Sequence, residues 1–221
     1  MRALIFGASG MVGSGVLREC LDDPRVHSVL VVGRMSCGIV HPKVDEILHS
    51  DFFDFAPIKH RFVACDACFF CLGVSAVGVK EADYRRLTTD LTLTAAHCLI
   101  AANPDLTFCY VSGQATDSTG RGRVMWARVK GKTENALLAM PFKAAYMFRP
   151  GFIQPLKGVK SKTRLYQALY DVLGPLYPLL RRIAPRSVTT SVNVGRAMIR
   201  VATEGYTSRL VETDDINRLA R

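Results

Sequence analysis

The sequence predicts an α/β domain built on a doubly wound parallel sheet, with a short C-terminal substrate-side region. Three observations predict it. Short apolar runs alternate with helix-length amphipathic stretches from the first residue to about residue 150. Strands so apolar suit a sheet covered by helices on both faces. The third observation is the length: 221 residues fit one such domain and bury a sizeable core. Apolar residues make up 49% and charged residues 22%, ordinary values that argue against disorder. No internal repeat or low-complexity tract interrupts the pattern.

Each element has its own signal. Ala3–Phe6 is an apolar run ending at glycine, and Val12–Leu21 reads as a helix stopped near Asp22-Asp23-Pro24. Ser28–Val32 is rich in β-branched residues and closes on Gly33-Arg34. Val44–Leu48 is a weaker strand before Asp51, and Val63–Cys71 a longer one before Leu72-Gly73-Val74-Ser75. Tyr84–Ala102 reads as a long helix ended by Asn103-Pro104. Leu106–Val111, Met125–Ala139 and Ala144–Phe148 continue as strand, helix, strand. Ser191–Thr203 reads as a helix, Arg209–Glu212 as a last strand, and Asp214 or Asp215 as the cap of a terminal helix.

After Arg149-Pro150-Gly151 the rhythm changes. Residues 152–190 read as a small insertion on the substrate side of a single 1–221 domain. Leu165, Leu169, Val172, Leu173 and Leu176 approximate a helical face. Pattern alone leaves three uses open: a cap over a ligand, a dimer surface, or a segment lying on a membrane.

No run of about 18 uninterrupted apolar residues is present, so no membrane-spanning helix is expected. The start, Met1 to Phe6, is too short and glycine-broken for a secretory signal, which makes the cytoplasm the default location. Seven cysteines without an export signal read as reduced thiols. Cys65, Cys68 and Cys71 have tempting metal spacing. In a strand, however, residues three apart face opposite ways, and Cys65 and Cys71 on one face stand roughly 20 Å apart. No metal site is expected.

The net charge of +10 is uneven. Residues 1–120 carry 10 basic and 13 acidic side chains, and residues 121–221 carry 19 and 6. A basic half suits an anionic ligand or surface, so peripheral membrane contact stays open, but no nucleic-acid-binding motif accompanies it and no nucleic acid is expected.

The chemistry sits in the loops that such a sheet places at the carboxyl ends of its strands. Gly7-Ala8-Ser9-Gly10-Met11-Val12-Gly13 lies between the first strand and the first helix, with the spacing G-x-x-G-x-x-G. Gly7 permits a tight turn, Gly10 lets backbone approach a pyrophosphate, and Gly13 lets helix and strand pack closely. The helix start supplies free N–H groups and a positive dipole. The expected ligand is a dinucleotide. At the end of the second strand, Arg34 stands where NAD-binding sites place an acid for the ribose 2′-hydroxyl. An arginine pairs instead with a 2′-phosphate, which favours NADP(H) over NAD(H). Asp51 and Phe52 follow the third strand. There an Asp accepts from the adenine amino group while the next backbone N–H meets a ring nitrogen; a plain turn-forming Asp is the alternative.

Taken together, the Gly7–Gly13 loop, Arg34, Asp51-Phe52, Leu72-Gly73, Ser112, Lys130 and Arg149-Pro150-Gly151 resemble the atypical and extended short-chain dehydrogenase/reductases. Arg128 to Glu134 and Val194 to Met198 resemble the subgroup of Tat-interacting-protein-like oxidoreductases. The resemblance covers nearly the whole chain. It implies a Rossmann-type fold and a chemistry based on Ser, Tyr and Lys, the Tyr four residues before the Lys. Ser112 matches the serine that hydrogen-bonds the substrate oxygen, and Lys130 the lysine that holds the nicotinamide ribose. The resemblance places Leu72, Gly73 and Val74 beside the adenine ribose and nicotinamide side, and Pro150, Gly151 and Ile153 near the carboxamide.

The tyrosine position holds Trp126, whose indole N–H donates but does not titrate in the usable range. Tyr110, on the strand before Ser112, is the other tyrosine to consider. Three readings follow: an NADP(H)-dependent oxidoreductase on a small carbonyl or alcohol, a non-catalytic NADP(H) sensor or regulator, and a basic peripheral protein. A homo-oligomer is compatible with each.

Overall fold

A computed structural model of the chain describes residues 1–156, 182–184 and 186–221. The strands are β1 (Arg2–Phe6), β2 (Ser28–Gly33), β3 (Val44–Leu48), β4 (Ala67–Phe70), β5 (Thr107–Val111), β6 (Ala144–Arg149), β7 (Phe152–Gln154), β8 (Val188–Thr190) and β9 (Leu210–Glu212). The helices are α1 (Met11–Asp22), α2 (Glu81–Arg85), α3 (Leu91–Ala102), α4 (Met125–Leu138), α5 (Ser191–Glu204) and α6 (Thr213–Leu219).

Seven strands form one sheet in the order β3-β2-β1-β4-β5-β6-β9, every neighbouring pair parallel. This is an α/β Rossmann-like fold. The chain runs outward from β1 to β3, then returns to β4 on the other side of β1. That reversal opens a crevice above the carboxyl ends of β1 and β4. β7 and β8 make a separate two-stranded parallel ribbon after β6, which the sequence pattern missed.

Strand alternation splits the core between the two faces. Ala3, Ile5, Val29, Val31, Phe69 and Phe148 pack beneath α1, α5 and α6. Leu4, Phe6, Leu30, Phe70, Phe108 and Met147 pack beneath α3, α4 and the turn around Phe55. α1 and α5 touch closely because glycines face the neighbouring helix: a Cβ on Gly15 would stand 2.6 Å from the Ser191 Cβ, and one on Gly195 2.8 Å from the Glu19 Cγ.

Several sequence expectations are corrected. β4 begins at Ala67, so Cys65 lies in the preceding turn and packs with Cys68 on one face, while Cys71 packs on the other. Burial pushes Cys65 up to about 11 and Cys71 to about 12, which keeps both as thiols. All seven cysteines are free. The long helix begins at Glu81 and contains a wide π turn over Arg86–Asp90 between α2 and α3. Glu212, not Asp214 or Asp215, caps α6; Asp215 reaches back to the Glu212 N–H in a capping box.

Of the 152–190 insertion, β7, β8 and the few residues beside them are described. The helical face of Leu165, Leu169, Val172, Leu173 and Leu176 lies outside the described residues. Among the described residues, no helix is long and apolar enough to cross a membrane.

Candidate active site

The crevice begins at the turn between β1 and α1. Gly7 has φ +82°, a backbone that L side chains rarely adopt, and a Cβ there would lie 2.9 Å from the Cys71 carbonyl. A Cβ on Gly13 would meet the Gly7 oxygen at 2.2 Å. Gly7 and Gly13 thus do what their spacing predicts: one makes the turn, the other lets α1 start directly on it. Gly10 is different. Its N–H donates to the Gly7 oxygen at 2.9 Å, and a Cβ would meet only that oxygen, at 3.2 Å. A methyl there would be tight against one backbone oxygen of the same turn, a milder conflict than at Gly7 or Gly13.

Gly10 caps α1 with no side-chain hydrogen bond, and no acid sits in the first turn. The helix start therefore presents its N–H groups and dipole uncancelled. Ala8 is buried, and Ser9, Met11 and Val12 are half-buried around the turn.

Two cavities at the strand ends share Val74; Gly7, Ala8, Ser9, Gly10, Met11 and Val12 line neither, and the turn meets the first through Leu72, whose N would stand 3.0 Å from a Gly7 Cβ. The first, of about 170 Å³, is lined by Arg34, Asp51, Phe52, Leu72, Gly73 and Val74, together with Leu87 and Leu91. Six residues chosen from three separate strand ends thus converge. Phe52 is fixed edge-on to Phe6, with ring centres 6.2 Å apart, and to Phe55 at 5.6 Å. Arg34 is exposed at the mouth. The Asp51 Oδ1 accepts the Phe53 N–H at 2.8 Å, so its carboxylate also serves the local turn.

The second cavity, of about 530 Å³, is lined by Ser112, Trp126, Lys130, Pro150 and Gly151, with Val74 to Val77, Tyr84, Gln114 and Phe152 among the rest. Lys130 Nζ donates to the Ser112 carbonyl at 2.6 Å and to the Val111 carbonyl at 3.4 Å. It lies 5.9 Å from the centre of the Tyr110 ring. Burial of its ammonium lowers its pKa to about 8, against the raising effect of Glu134 one helical turn away.

Ser112 is buried, and its hydroxyl donates to the Phe148 carbonyl at 3.0 Å, so its proton ties β5 to β6. Trp126 stands on the first turn of α4, beside Gly113. Tyr110 is no substitute for the missing tyrosine. It points into the core beside Phe70, and burial raises its pKa.

Arg149 is not at the cavity either. Its guanidinium is buried against the Glu134 carboxylate, with Nε at 3.1 Å from Oε1, and also bonds Ser118 and Glu212. This cluster ties α4, β6, β9 and the 117–122 loop beneath the Pro150-Gly151 turn. A Cβ on Gly151 would meet the Ser187 carbonyl oxygen at 2.2 Å, and the Gly151 N–H donates to Thr213 Oγ1 at 2.9 Å. Ile153 is corrected: it is buried in β7 and lines neither cavity, whereas Phe152 does.

Leu87, Leu91, Tyr84 and Gln114 escaped the sequence reading. The first three lie on the helix after β4, which closes over the same crevice; helical periodicity marked that face as core. Ala115, with φ 67°, is the one non-glycine residue at positive φ among the described residues, and it follows Gln114 beside the cavity.

A third cavity, of about 430 Å³, lies at the opposite end of the sheet around Arg25, Arg196, Arg200 and Glu204. Its arginines are paired with acids, Arg196 with Glu19 at 2.9 Å and Arg25 with Glu204 at 2.8 Å. It offers no net charge to a ligand.

The donor set fits a dinucleotide: a glycine turn with free helix N–H groups, an arginine-edged apolar cavity, and a larger cavity with a lysine, the two cavities meeting at Val74.

No family model matches the chain. Over 231 aligned residues it is 26% identical to the protein named fmp52-2, mitochondrial, of Aspergillus terreus, covering 99% of this chain and 96% of that one. It is 25% identical over 152 residues to HTATIP2 of Rattus norvegicus, covering 67% of this chain and 61% of that protein.

Among solved structures, an oxidoreductase of the short chain dehydrogenase/reductase family from Burkholderia thailandensis superposes with TM-score 0.66 at 14% identity, covering 97% and 92% of the two chains. The Bordetella bronchiseptica enzyme WbmF, in complex with NAD+, gives 0.66 at 15%, covering 98% and 76%. ElxO, with NADPH bound, gives 0.65 at 15%, covering 95% and 94%.

The fold that the resemblance implied therefore holds: the structural neighbours include a short chain dehydrogenase/reductase and proteins with NAD+ or NADPH bound, and HTATIP2 is among the relatives. The cytoplasmic expectation does not hold, because the relatives that span the chain are named mitochondrial. It rested on the lack of a secretory pattern, which bears on no other address.

Proposed function

We propose that the protein binds NADP(H) across the crevice and acts as an oxidoreductase on a small carbonyl or alcohol. The carrying observation is the placement of Lys130 against Ser112 at the floor of the larger cavity, joined through Val74 to the cavity that Arg34 edges. Bound there, the cofactor supplies or accepts a hydride.

The chain's own residues do the rest. The α1 N–H groups hold the pyrophosphate, Arg34 pairs with the 2′-phosphate, and Phe52 and Leu72 wall the adenine. The Lys130 ammonium, anchored by two backbone carbonyls, keeps one N–H, which a ribose hydroxyl and the acceptor oxygen share. Pro150 and Gly151 form the wall at the carboxamide. Neighbours of this fold bind NAD or NADPH, and Arg34 supports the phosphorylated form. The names of the fungal relatives favour mitochondria as its location.

A second reading, a non-catalytic NADP(H) sensor, is favoured by the Ser112 proton being given to the Phe148 carbonyl, and by Trp126 standing where the family resemblance implies a proton-bearing tyrosine. Fluorescence titration with NADPH and NADH tests the cofactor. Wild-type protein is expected to prefer NADPH, and Arg34→Asp to remove that preference; equal affinities before and after refute the role of Arg34. Absorbance at the nicotinamide band with a panel of aldehydes, ketones and quinones then separates turnover from binding alone.

A further inference from the structure

This inference rests on the oxidoreductase reading and concerns the acceptor. Two features of the larger cavity bear on it. Its lining includes three aromatic residues, Tyr84, Trp126 and Phe152, together with the apolar Val74, Ala76 and Val77. Its charged lining residue is Lys130.

Hydride delivery to an ordinary ketone produces an alkoxide, a base comparable to hydroxide, whose parent acid has a pKa of about 15.7. Such an anion must be protonated as it forms, and an O–H acid at the carbonyl oxygen normally does this. Trp126 stands where that acid would be and releases no proton. Hydride delivery to a quinone produces an aryloxide, whose parent acid resembles tyrosine at about 10. That anion survives the step and takes its proton afterwards. A flat ring also matches an indole face, which stacks well on planar π systems.

We propose that the hydride acceptor is a planar quinone, stacked on Trp126 and protonated by Lys130. The reductant is a reduced nicotinamide, which gives one hydride to the quinone. One new bond to hydrogen forms at the quinone, and the displaced π electrons rest on the remaining oxygen as aryloxide. The Lys130 Nζ–H bond breaks to give that oxygen its proton, and solvent restores the ammonium. The quinone is reduced by two electrons, the nicotinamide is oxidised by two, and one solvent proton is consumed. Lys130 suits the step: two of its three N–H bonds are anchored on carbonyls, and its pKa of about 8 lies below that of the aryloxide's parent acid.

The test has two readouts. With NADPH binding established first, turnover of 2-methyl-1,4-naphthoquinone is compared with that of benzaldehyde and cyclohexanone. The expected kcat/KM for the quinone is at least about a hundredfold higher. Calorimetry of the same quinone against the protein–NADP+ complex is expected to give saturable binding. That binding should weaken about tenfold in Trp126→Leu and persist in Trp126→Phe, which keeps a ring. NADPH affinity, read in these variants from the cofactor's own emission, should hold. In Trp126→Tyr, aldehyde reduction should rise.

Binding of NADPH with reduction of aldehydes or ketones but not quinones overturns the quinone proposal and leaves the oxidoreductase reading standing. Quinone turnover indifferent to Trp126→Leu, without saturable binding, also overturns it. Binding with no turnover of any acceptor overturns both in favour of the sensor, and absence of NADPH binding overturns the cofactor reading beneath them.

Discussion

Lys130 Nζ donates to the carbonyl of Ser112 at 2.6 Å, so the lysine on α4 is held by the backbone at the end of β5 and not by an acidic side chain. Its direct partners are backbone dipoles, and burial lowers its pKa from 10.5 to about 8 although Glu134 one helical turn away raises it. In the unfolded chain the lysine keeps its proton up to about 10.5. Between pH 8 and 10.5 the unfolded state therefore binds more protons, and stability rises with pH in that window. The Lys130 contribution should amount to on the order of 2–3 kcal/mol. Denaturant titrations at pH 7.5 and 9.5 should show this rise against the background in wild type, and Lys130→Met should lose it. Unchanged pH dependence in the variant counts against a desolvated ammonium.

The Glu134 carboxylate is fully buried and holds the Arg149 guanidinium, which bridges on to Ser118 and Glu212. Removing one partner strands the other. Glu134→Ala should cost about 3–5 kcal/mol in urea denaturation. The double replacement Glu134→Leu with Arg149→Met should recover part of that loss, since no lone charge remains. A cost below about 1 kcal/mol for Glu134→Ala, typical of exposed pairs, contradicts the burial.

The three glycines of the turn should separate folding from binding. Gly13→Ala drives a methyl into the Gly7 oxygen and should destabilise the protein by about 2–3 kcal/mol. Gly10→Ala meets one backbone oxygen at 3.2 Å and should lower the melting temperature less than Gly13→Ala does. On the proposed reading it should also weaken NADPH at least about tenfold, because the second glycine of such a turn is where backbone approaches a pyrophosphate. Thermal melts alongside NADPH titrations read both effects. Equal NADPH affinity in wild type and Gly10→Ala removes the turn from the site.

The sheet was legible because β1, β2, β4, β5 and β6 are buried on both faces and read as apolar runs; β3, less buried, was the weaker signal yet has the bounds its pattern indicated. The adenine-side residues were legible because Arg34, Asp51 and Leu72 each follow a strand and so must meet above the sheet. Burial in the 62–66 turn, with Phe62 and Cys65 fully enclosed, imitated a strand and misplaced Cys65. β7 and β8 are three residues each, too short for periodicity to register. Tyr84 and Leu87 were hidden because a helix face covering a crevice looks like a helix face covering a core. The Glu134–Arg149 pair joins residues 15 apart through tertiary packing, which no local pattern encodes.

Binding of a reduced nicotinamide dinucleotide is read most directly from the emission of Trp126, the single tryptophan, which lines the larger cavity. Titration with NADPH should quench it saturably by energy transfer, at one equivalent per chain and with micromolar affinity. The result that contradicts the account is Trp126 emission that falls only linearly, without saturation, up to millimolar NADPH.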